Sequence, residues 1–256
     1  MIDLPESFDL CTEIRKLYVS KNYYIPLVRE NDFSEDTYWL DGIDPDGKKR
    51  NRISEKEQYL SDISTELNYI NKLKPGKILD IGCGLGWLLS AVETGWKKYG
   101  VEISKYASEN AAQYADITND HFLNADYESN FFDLIVMHHV IEHMQDPIKN
   151  LKKAIKILKG NGIIIIATPD FDSGCARRFG NNYRLLHDST HISLFSNDSM
   201  HRMLRDHLLE IDYVDYPYFN TKYFNQDSLN RLFNVEEISP AFYGNFMTFY
   251  CRKNQI

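Results

Sequence analysis

The chain has 256 residues, of which 43% are hydrophobic and 26% are charged, ordinary values for a globular protein with a substantial core. Its net charge of −8 disfavours general attraction to nucleic acid or to anionic lipid. Its acidic amino terminus, short apolar runs and four scattered cysteines are typical of a reduced, cytoplasmic protein without a signal peptide, membrane span or disulfide framework.

Residues 1–52 show no sustained periodicity and are rich in turn-forming residues, so we expect a loop-rich segment. A helix is predicted from Ser54, where Ser54 and Glu57 have the spacing of a capping box, to the Lys-Pro-Gly sequence at 74–76. We therefore divide the chain into an amino-terminal segment, 1–53, and a domain, 54–256. The segment is predicted to cover the functional cleft as a lid or to form a dimer contact, with candidate contacts Tyr23, Tyr24, Tyr38 and Trp39.

Beyond residue 76, apolar strands alternate with helices, a pattern that predicts a parallel sheet with right-handed crossovers. The first five predicted strands are Lys77–Ile81, Tyr99–Ile103, Phe122–Ala125, Phe132–His138 and Gly162–Thr168. The predicted helices are 88–93, 105–114, 148–158 and 197–209, and the last two strands are 210–216 and 246–252. The connection 169–195 is too long for a passive turn, and we expect it to carry function.

A glycine-rich turn follows the first strand, in the sequence Leu79-Asp-Ile-Gly-Cys-Gly-Leu-Gly86. Glycines at alternate positions let the backbone turn sharply and approach a ligand closely. A dinucleotide-binding turn requires its third glycine where this chain has Trp87, and a phosphate-binding loop requires a Gly-Lys-Ser/Thr sequence that does not follow. Asp80, just before the turn, favours a ligand with a cationic, amino-acid-like end.

This turn resembles the first motif of class I S-adenosylmethionine-dependent methyltransferases. The resemblance implies a Rossmann-like, seven-stranded, mostly parallel sheet with its last strand antiparallel, helices on both faces, and S-adenosylmethionine as cofactor. It also implies that Asp80 faces the methionine moiety, Glu102 the ribose and Asp126 the adenine. The implied cofactor contacts are Asp80, Gly82, Cys83, Gly84, Gly86, Trp87, Glu102, Ile103, Asp126, Tyr127 and His138.

The fourth strand runs into Met137-His-His-Val-Ile-Glu-His143, which resembles the fourth motif of ubiquinone-type and related small-molecule methyltransferases. On a helical turn, His139, Glu142 and His143 would share one face. Because histidine titrates near neutral pH, the cluster predicts a general base that deprotonates the acceptor, with His143 as first choice. A structural role, in which Glu142 and His143 only cap and pack, stays open.

A metal site is the further alternative for this cluster. Small-RNA 2′-O-methyltransferases bind a divalent ion through a Glu-x-x-Glu-His pattern and a distant histidine, and this chain resembles them with His139 in place of the first glutamate. Magnesium prefers oxygen ligands, so nitrogen-rich ligation would better suit manganese, iron or zinc. We favour the base over a metal, whose ligands would be His139, Glu142, His143 and His191.

Three arginines cluster after the fifth strand, which predicts a clamp for a phosphate or carboxylate in a chain of negative net charge. A solvated face, or ion pairs with the amino-terminal segment, is the alternative interpretation. The predicted acceptor contacts are Arg177, Arg178, Tyr183, Arg184, His187 and His191.

Further pieces of the chain resemble methyltransferases of bacterial surface-polysaccharide synthesis: Tyr38-Trp39, Asp44–Gly47, Ser54–Glu57, Cys175–Gly180 and Phe242–Gly244. The resemblance implies O-methylation of a sugar, a sugar nucleotide or a phosphorylated capsule precursor by a monomer or homodimer. An N-methyltransferase is the nearest rival, but the Asn/Asp-Pro-Pro-Tyr sequence typical of that class does not follow strand four. A non-catalytic cofactor-binding subunit is a second rival, against which the intact histidine cluster argues. Trp87 disfavours a nicotinamide enzyme.

Overall fold

The computed structural model describes residues 4–29, 38–39, 42–44, 49–217, 224–241 and 245–254. Its centre is a sheet of seven strands: β1 Lys77–Ile81, β2 Lys97–Val101, β3 Asp116–Thr118, β4 Phe132–His138, β5 Leu158–Pro169, β6 Leu209–Asp215 and β7 Phe246–Lys253. They lie in the order β6-β7-β5-β4-β1-β2-β3. Strand β7 is antiparallel to both neighbours and the other pairs are parallel, which confirms the predicted fold class.

Helices cover both faces of this sheet because alternate residues of each strand point to opposite sides. On β4, Ile135 packs in one buried cluster with side chains of α6 and α8, and Val136 packs in another with α2, α3 and α4. The helices are α1 Leu10–Val19, α2 Lys56–Asp62, α3 Ser64–Ile70, α4 Trp87–Ala91, α5 Lys105–Ala111, α6 Pro147–Ile157, α7 Gly174–Phe179, α8 Asn197–Asp206 and α9 Gln226–Arg231. Short 3-10 turns occupy Arg52–Glu55, Ile141–His143, Gly180–Asn182 and Arg184–His187.

The third strand is the element that sequence patterning placed wrongly. The strand that pairs with β2 is Asp116–Thr118. The predicted strand Phe122–Ala125 is instead a turn in which His121 O accepts from Asn124 N and Ala125 N. Phe122 and Ala125 are both buried, three residues apart, because the turn directs both into the core. The strand itself is a half-exposed sheet edge and carries no apolar run.

The amino-terminal segment contains a helix that we did not predict. Helix α1 begins after Asp9, whose carboxylate accepts from Thr12 N, and buries Leu10, Ile14 and Leu17. These apolar residues, at spacings of four and three, pack in a third cluster with α7, so the start of the chain belongs to the packed core.

The predicted capping box at Ser54 does not form. The side chain of Asn51 accepts from Ile53 N and Ser54 N and starts a 3-10 turn, so α2 begins two residues after Ser54. The predicted single helix also breaks at Ile63, whose backbone leaves the helical region between α2 and α3.

The connection 169–195 folds into α7, two 3-10 turns and the strand Ser193–Leu194, which pairs with Ile25–Pro26 of the amino-terminal segment. A second short pair joins Gly42–Ile43 to Lys49–Arg50. Among the described residues, the structure contains no helix with the length and apolar character needed to cross a membrane.

Gly86 provides a test of how tightly the turn after β1 is packed. Its φ is +75°, and an added Cβ would lie 2.9 Å from the Ala111 backbone. We expect Gly86→Ala to lower the free energy of unfolding by about 1–3 kcal/mol, measured by urea denaturation, because of backbone strain and this close contact. Gly174→Ala is the matched control, since an added Cβ there meets nothing within 4 Å. Equal stability of the two variants would contradict this packing.

Candidate functional site

A cleft of about 330 Å³ opens beyond the carboxyl ends of β1 and β4, where ligands bind in open α/β sheets. The glycine turn, the 3-10 turn after β4 and the connection after β5 all contribute to its lining. Its walls also contain residues of the amino-terminal segment and of α2 and α3. Its lining residues include Tyr38, Trp39, Asp44, Arg52, Tyr59, Glu66, Gly82, Cys83, Gly84, Trp87, His138, His139, Glu142, His143, Arg184, Asp188 and His191.

The glycine turn fits a ligand held close to the backbone. Gly82 has a φ of +72°, and an added Cβ would lie 2.6 Å from a methyl group of Val140, so only glycine fits there. Gly82 N and Cys83 N both donate to Val101 O, which ties the turn to β2. The turn is therefore fixed against the neighbouring strand end that carries Glu102.

Glu102 is buried, and both of its carboxylate oxygens accept from the backbone. Its Oε2 accepts from Gly84 N at 2.8 Å, and its Oε1 accepts from Ser104 N at 2.8 Å. A carboxylate oxygen can accept more than one hydrogen bond. This is the position at which the sequence predicts ribose recognition.

Asp80 lies beneath the turn and is 3% exposed. Burial and the negative charge of Glu102 raise the pKa of Asp80 to about 8. Asp80 is not among the residues that line the described cleft, but its carboxyl group lies next to the glycine turn, where a nearby cation would favour its ionised form.

Of the remaining predicted cofactor contacts, some line the cleft and others lie outside its lining. Cys83, Trp87 and His138 line the cleft, whereas Ile103 is 53% exposed and Asp126 is exposed beyond the described lining. Tyr127 lies against the aromatic rings of the core, and its hydroxyl bonds to the hydroxyl of Thr118 at 3.2 Å.

The histidine cluster after β4 is brought together by the 3-10 turn Ile141–His143. Glu142 is fully buried, and its Oε1 accepts from His139 Nδ1 at 3.2 Å while its Oε2 accepts from the Thr168 hydroxyl at 3.2 Å. Burial alone would raise the pKa of Glu142, but the His139 hydrogen bond and the charges of His143, His139 and His191 lower it to about 2. His139 has a φ of +51°, an unfavourable backbone conformation for a non-glycine residue.

His143 and His191 are oriented by backbone carbonyls. His143 Nδ1 donates to Thr190 O at 2.8 Å and His191 Nδ1 donates to Leu185 O at 2.7 Å, since a carbonyl can only accept. Each neutral ring therefore has an unprotonated Nε2. One ligand atom each of Glu142, His143 and His191 lies within 4.8 Å of the others, so proximity alone permits either a proton acceptor or a cation site.

Among the acids that line the described cleft, Asp188 and Glu66 lie close to histidines and were not predicted as site residues. Asp188 Oδ1 accepts from Thr190 N, and its Oδ2 lies 3.9 Å from His191 Nε2. Glu66 on α3 is 5% exposed, and its Oε1 lies 3.4 Å from His138 Nδ1. Asp188 could have been predicted as a site residue, because it stands three residues before His191. Glu66 could not, because it occupies an ordinary polar position of a predicted helix.

The structure does not bring the three arginines together. Arg184 lines the cleft, is 7% exposed and pairs with Asp44 at 2.8 Å, while its Nε has no hydrogen-bond partner among the described residues. Arg177 pairs with Asp172 away from the cleft, and Arg178 donates to Leu232 O. The predicted clamp is therefore reduced to Arg184 because the other two arginines lie on α7 and face other partners.

Two further predicted acceptor contacts also lie outside the cleft lining. Tyr183 is fully buried, and its ring packs on Phe171 in the core cluster of α1 and α7. His187 Nε2 donates to Asn181 O at 2.6 Å. Of the predicted acceptor contacts, Arg184 and His191 face the described cleft.

The aromatic residues of the predicted lid fall into two groups. Tyr38 and Trp39 line the cleft, whereas Tyr23 donates to Asp206 and Tyr24 packs against Phe195. The resembling pieces at 45–47 and 242–244 lie outside the described residues.

Comparison with known proteins identifies the chemistry of such a cleft. The profile of a family described as a methyltransferase domain matches residues 49–214. A ubiquinone biosynthesis O-methyltransferase of Pelagibacter ubique is 35% identical over 106 residues, which are 38% of this chain and 43% of that protein. An uncharacterised methyltransferase of Schizosaccharomyces pombe is 28% identical over 173 residues, or 58% of this chain and 59% of that protein. The chain thus spans about half the length of these curated relatives.

Solved structures support the fold independently. A S-adenosylmethionine-dependent methyltransferase of Archaeoglobus fulgidus superposes with a TM-score of 0.58 at 15% identity, over 77% of this chain and 94% of that chain. At this identity the likeness establishes the fold and leaves the acceptor open.

Proposed function

The chain belongs to the methyltransferase domain family that it matches over residues 49–214, and we propose that it methylates a hydroxyl oxygen of a small acceptor that carries an anionic group. S-adenosylmethionine is the cofactor, and its sulfonium supplies an activated methyl group for displacement by the acceptor. The observation that carries the proposal is that a glycine turn and a histidine–carboxylate cluster line the same cleft.

The cofactor end is built from residues that fit the charge and shape of S-adenosylmethionine. The positive-φ glycines allow close approach, Asp80 offers a carboxylate to the amino group, and Glu102 offers acceptors to the ribose. The protein accelerates the reaction mainly by holding the acceptor oxygen in line with the methyl group, because the donor is already activated.

The acceptor end provides a base. His143 Nε2 is the proton acceptor in this proposal, and the Thr190 carbonyl fixes the ring by holding its Nδ1–H. Glu142 already accepts hydrogen bonds from His139 and Thr168, which hold its carboxylate in place. A divalent cation bound by Glu142, His143 and His191 is the second candidate, which their proximity favours.

A hydroxyl acceptor agrees with two properties of the chain. Histidine as base suits a hydroxyl group, and the curated relative of Pelagibacter ubique is named an O-methyltransferase. Sugar nucleotides, sugar phosphates and phosphorylated precursors of surface polysaccharide combine such a hydroxyl with the anionic group that Arg184 would bind, whereas a plain sugar offers the hydroxyl alone.

Arg184 provides the experiment on the acceptor. We screen sugar nucleotides, sugar phosphates and the matching uncharged sugars with methyl-labelled cofactor, and expect turnover of the anionic members. Arg184→Met should then raise the acceptor KM by about 10- to 100-fold and leave cofactor affinity unchanged, because a charged hydrogen bond contributes about 1.5–3 kcal/mol.

Arg177→Met is the matched control, since Arg177 pairs with Asp172 outside the cleft. Arg184→Lys, which keeps the charge, should recover part of the lost affinity, and urea denaturation checks that Arg184→Met remains folded. An unchanged acceptor KM in folded Arg184→Met, or equal turnover of charged and uncharged acceptors, would contradict the anion-binding role.

A further inference from the structure

Trp39 lies against the part of the cleft that serves the cofactor. Its ring Cη2 is 3.2 Å from where a Cβ on Gly84 would stand, so the indole rests on the glycine turn. Its Nε1 donates to the Ser104 hydroxyl at 3.1 Å. An aromatic residue from the amino-terminal segment thus contacts both strand ends that hold the cofactor.

Three hydrogen bonds and one packing contact link Trp39 to the surroundings of Glu102. Trp39 bonds to Ser104, Ser104 N donates to Glu102 Oε1, and Gly84 N donates to Glu102 Oε2. The indole packs on the same Gly84, so it stands directly beside the carboxylate that would bind the ribose. A flat apolar ring at this place matches the apolar face of a nucleoside.

The neighbouring residues hold Trp39 in position. The Tyr38 ring packs edge-on against the indole, with 4.9 Å between ring centroids, and the guanidinium of Arg52 lies 4.3 Å from the Tyr38 ring centroid. Arg52 Nε also donates to Tyr38 O at 3.1 Å. The indole is therefore fixed to the 3-10 turn that precedes α2 and is not a loose surface residue.

We propose that Trp39 is a cofactor-binding residue, the outer wall that covers the nucleoside part of S-adenosylmethionine. This rests on the proposed function, and it assigns one aromatic residue of the predicted lid to the cofactor. The amino-terminal segment then contributes to methyl-donor affinity as well as to covering the cleft.

Calorimetric titration with two probes tests this assignment. S-adenosylhomocysteine has both nucleoside and amino-acid ends, whereas methylthioadenosine lacks the amino-acid end. We expect Trp39→Ala to raise the Kd of both probes by about 10-fold, because the nucleoside of each probe would lose an aromatic contact on one side. Trp39→Phe, which keeps a ring and loses the N–H, should recover most of the affinity.

Two comparisons make the result specific. Asp80→Asn should weaken S-adenosylhomocysteine alone, because Asp80 serves the amino-acid end, and Phe233→Ala, an aromatic truncation at an 84% exposed position, should change neither Kd. Kd values within twofold of wild type for Trp39→Ala, or loss confined to S-adenosylhomocysteine, would overturn the assignment. Failure of the wild-type protein to bind either probe would instead refute the proposed function itself.

Discussion

His143→Ala should reduce kcat by about 10²–10⁴-fold and leave the Kd for the cofactor unchanged. The reason is that the Thr190 carbonyl accepts from Nδ1 of His143, which leaves Nε2 of the neutral ring as the proton acceptor, and that Glu142 and His191 lie close by. The measurement is steady-state methyl transfer together with calorimetric binding of S-adenosylhomocysteine. His121→Ala is the matched control, because His121 is exposed on the turn after β3.

The same assay with a chelator separates the base from the cation. With His143 as base, activity survives removal of divalent ions and His191→Ala is milder than His143→Ala. With a cation at the cluster, the chelator abolishes activity, added manganese restores it, and the two histidine variants are equally damaging because both side chains would bind one ion. Full activity of His143→Ala would contradict both chemistries.

The affinity for S-adenosylhomocysteine should rise by about tenfold for each pH unit between pH 5.5 and 7.5 and level off above pH 8. The pKa of Asp80 is raised to about 8 by burial and by Glu102, so the free protein carries this carboxyl mainly protonated at neutral pH. The ligand ammonium favours the ionised form, so binding releases a proton. Affinity must therefore fall as the pH decreases below the pKa of the free protein.

Calorimetry in two buffers of different ionisation enthalpy counts the released protons directly. Asp80→Asn should bind more weakly at pH 8 and lose most of this pH dependence, while His121→Ala should keep it. A wild-type affinity that is constant between pH 5.5 and 8 would show that Asp80 does not ionise on binding.

The sheet and the cofactor end of the cleft were predictable because local patterns specify them. A glycine turn after an apolar strand requires positive φ values, and Gly82, Gly84 and Gly86 all adopt them. Because β1 and β2 are parallel neighbours, an acid at the end of β2 lies close to the turn after β1. Glu102 is in this position and accepts from Gly84 N. Strand β3 was missed because a short polar edge strand has no apolar periodicity.

The acceptor end was less predictable because long-range contacts decide it. Arginines 177, 178 and 184 are close in sequence, but the short helix α7 directs the first two to Asp172 and the Leu232 carbonyl. Arg184 reaches the cleft through an ion pair with Asp44, 140 residues away. Tyr183, predicted as an acceptor contact, lies in the core instead. A buried tyrosine needs a partner for its hydroxyl, and that of Tyr183 donates to Asp170 O at 3.4 Å.

Calorimetric titration of the folded protein with S-adenosylhomocysteine tests the central assignment most directly. We expect binding at a single site, and Glu102→Ala should weaken it by about 1–3 kcal/mol because the ribose loses its charged acceptor and the glycine turn loses a hydrogen bond. No heat of binding with folded wild-type protein, or unchanged affinity in folded Glu102→Ala, would contradict the placement of the cofactor at the glycine turn.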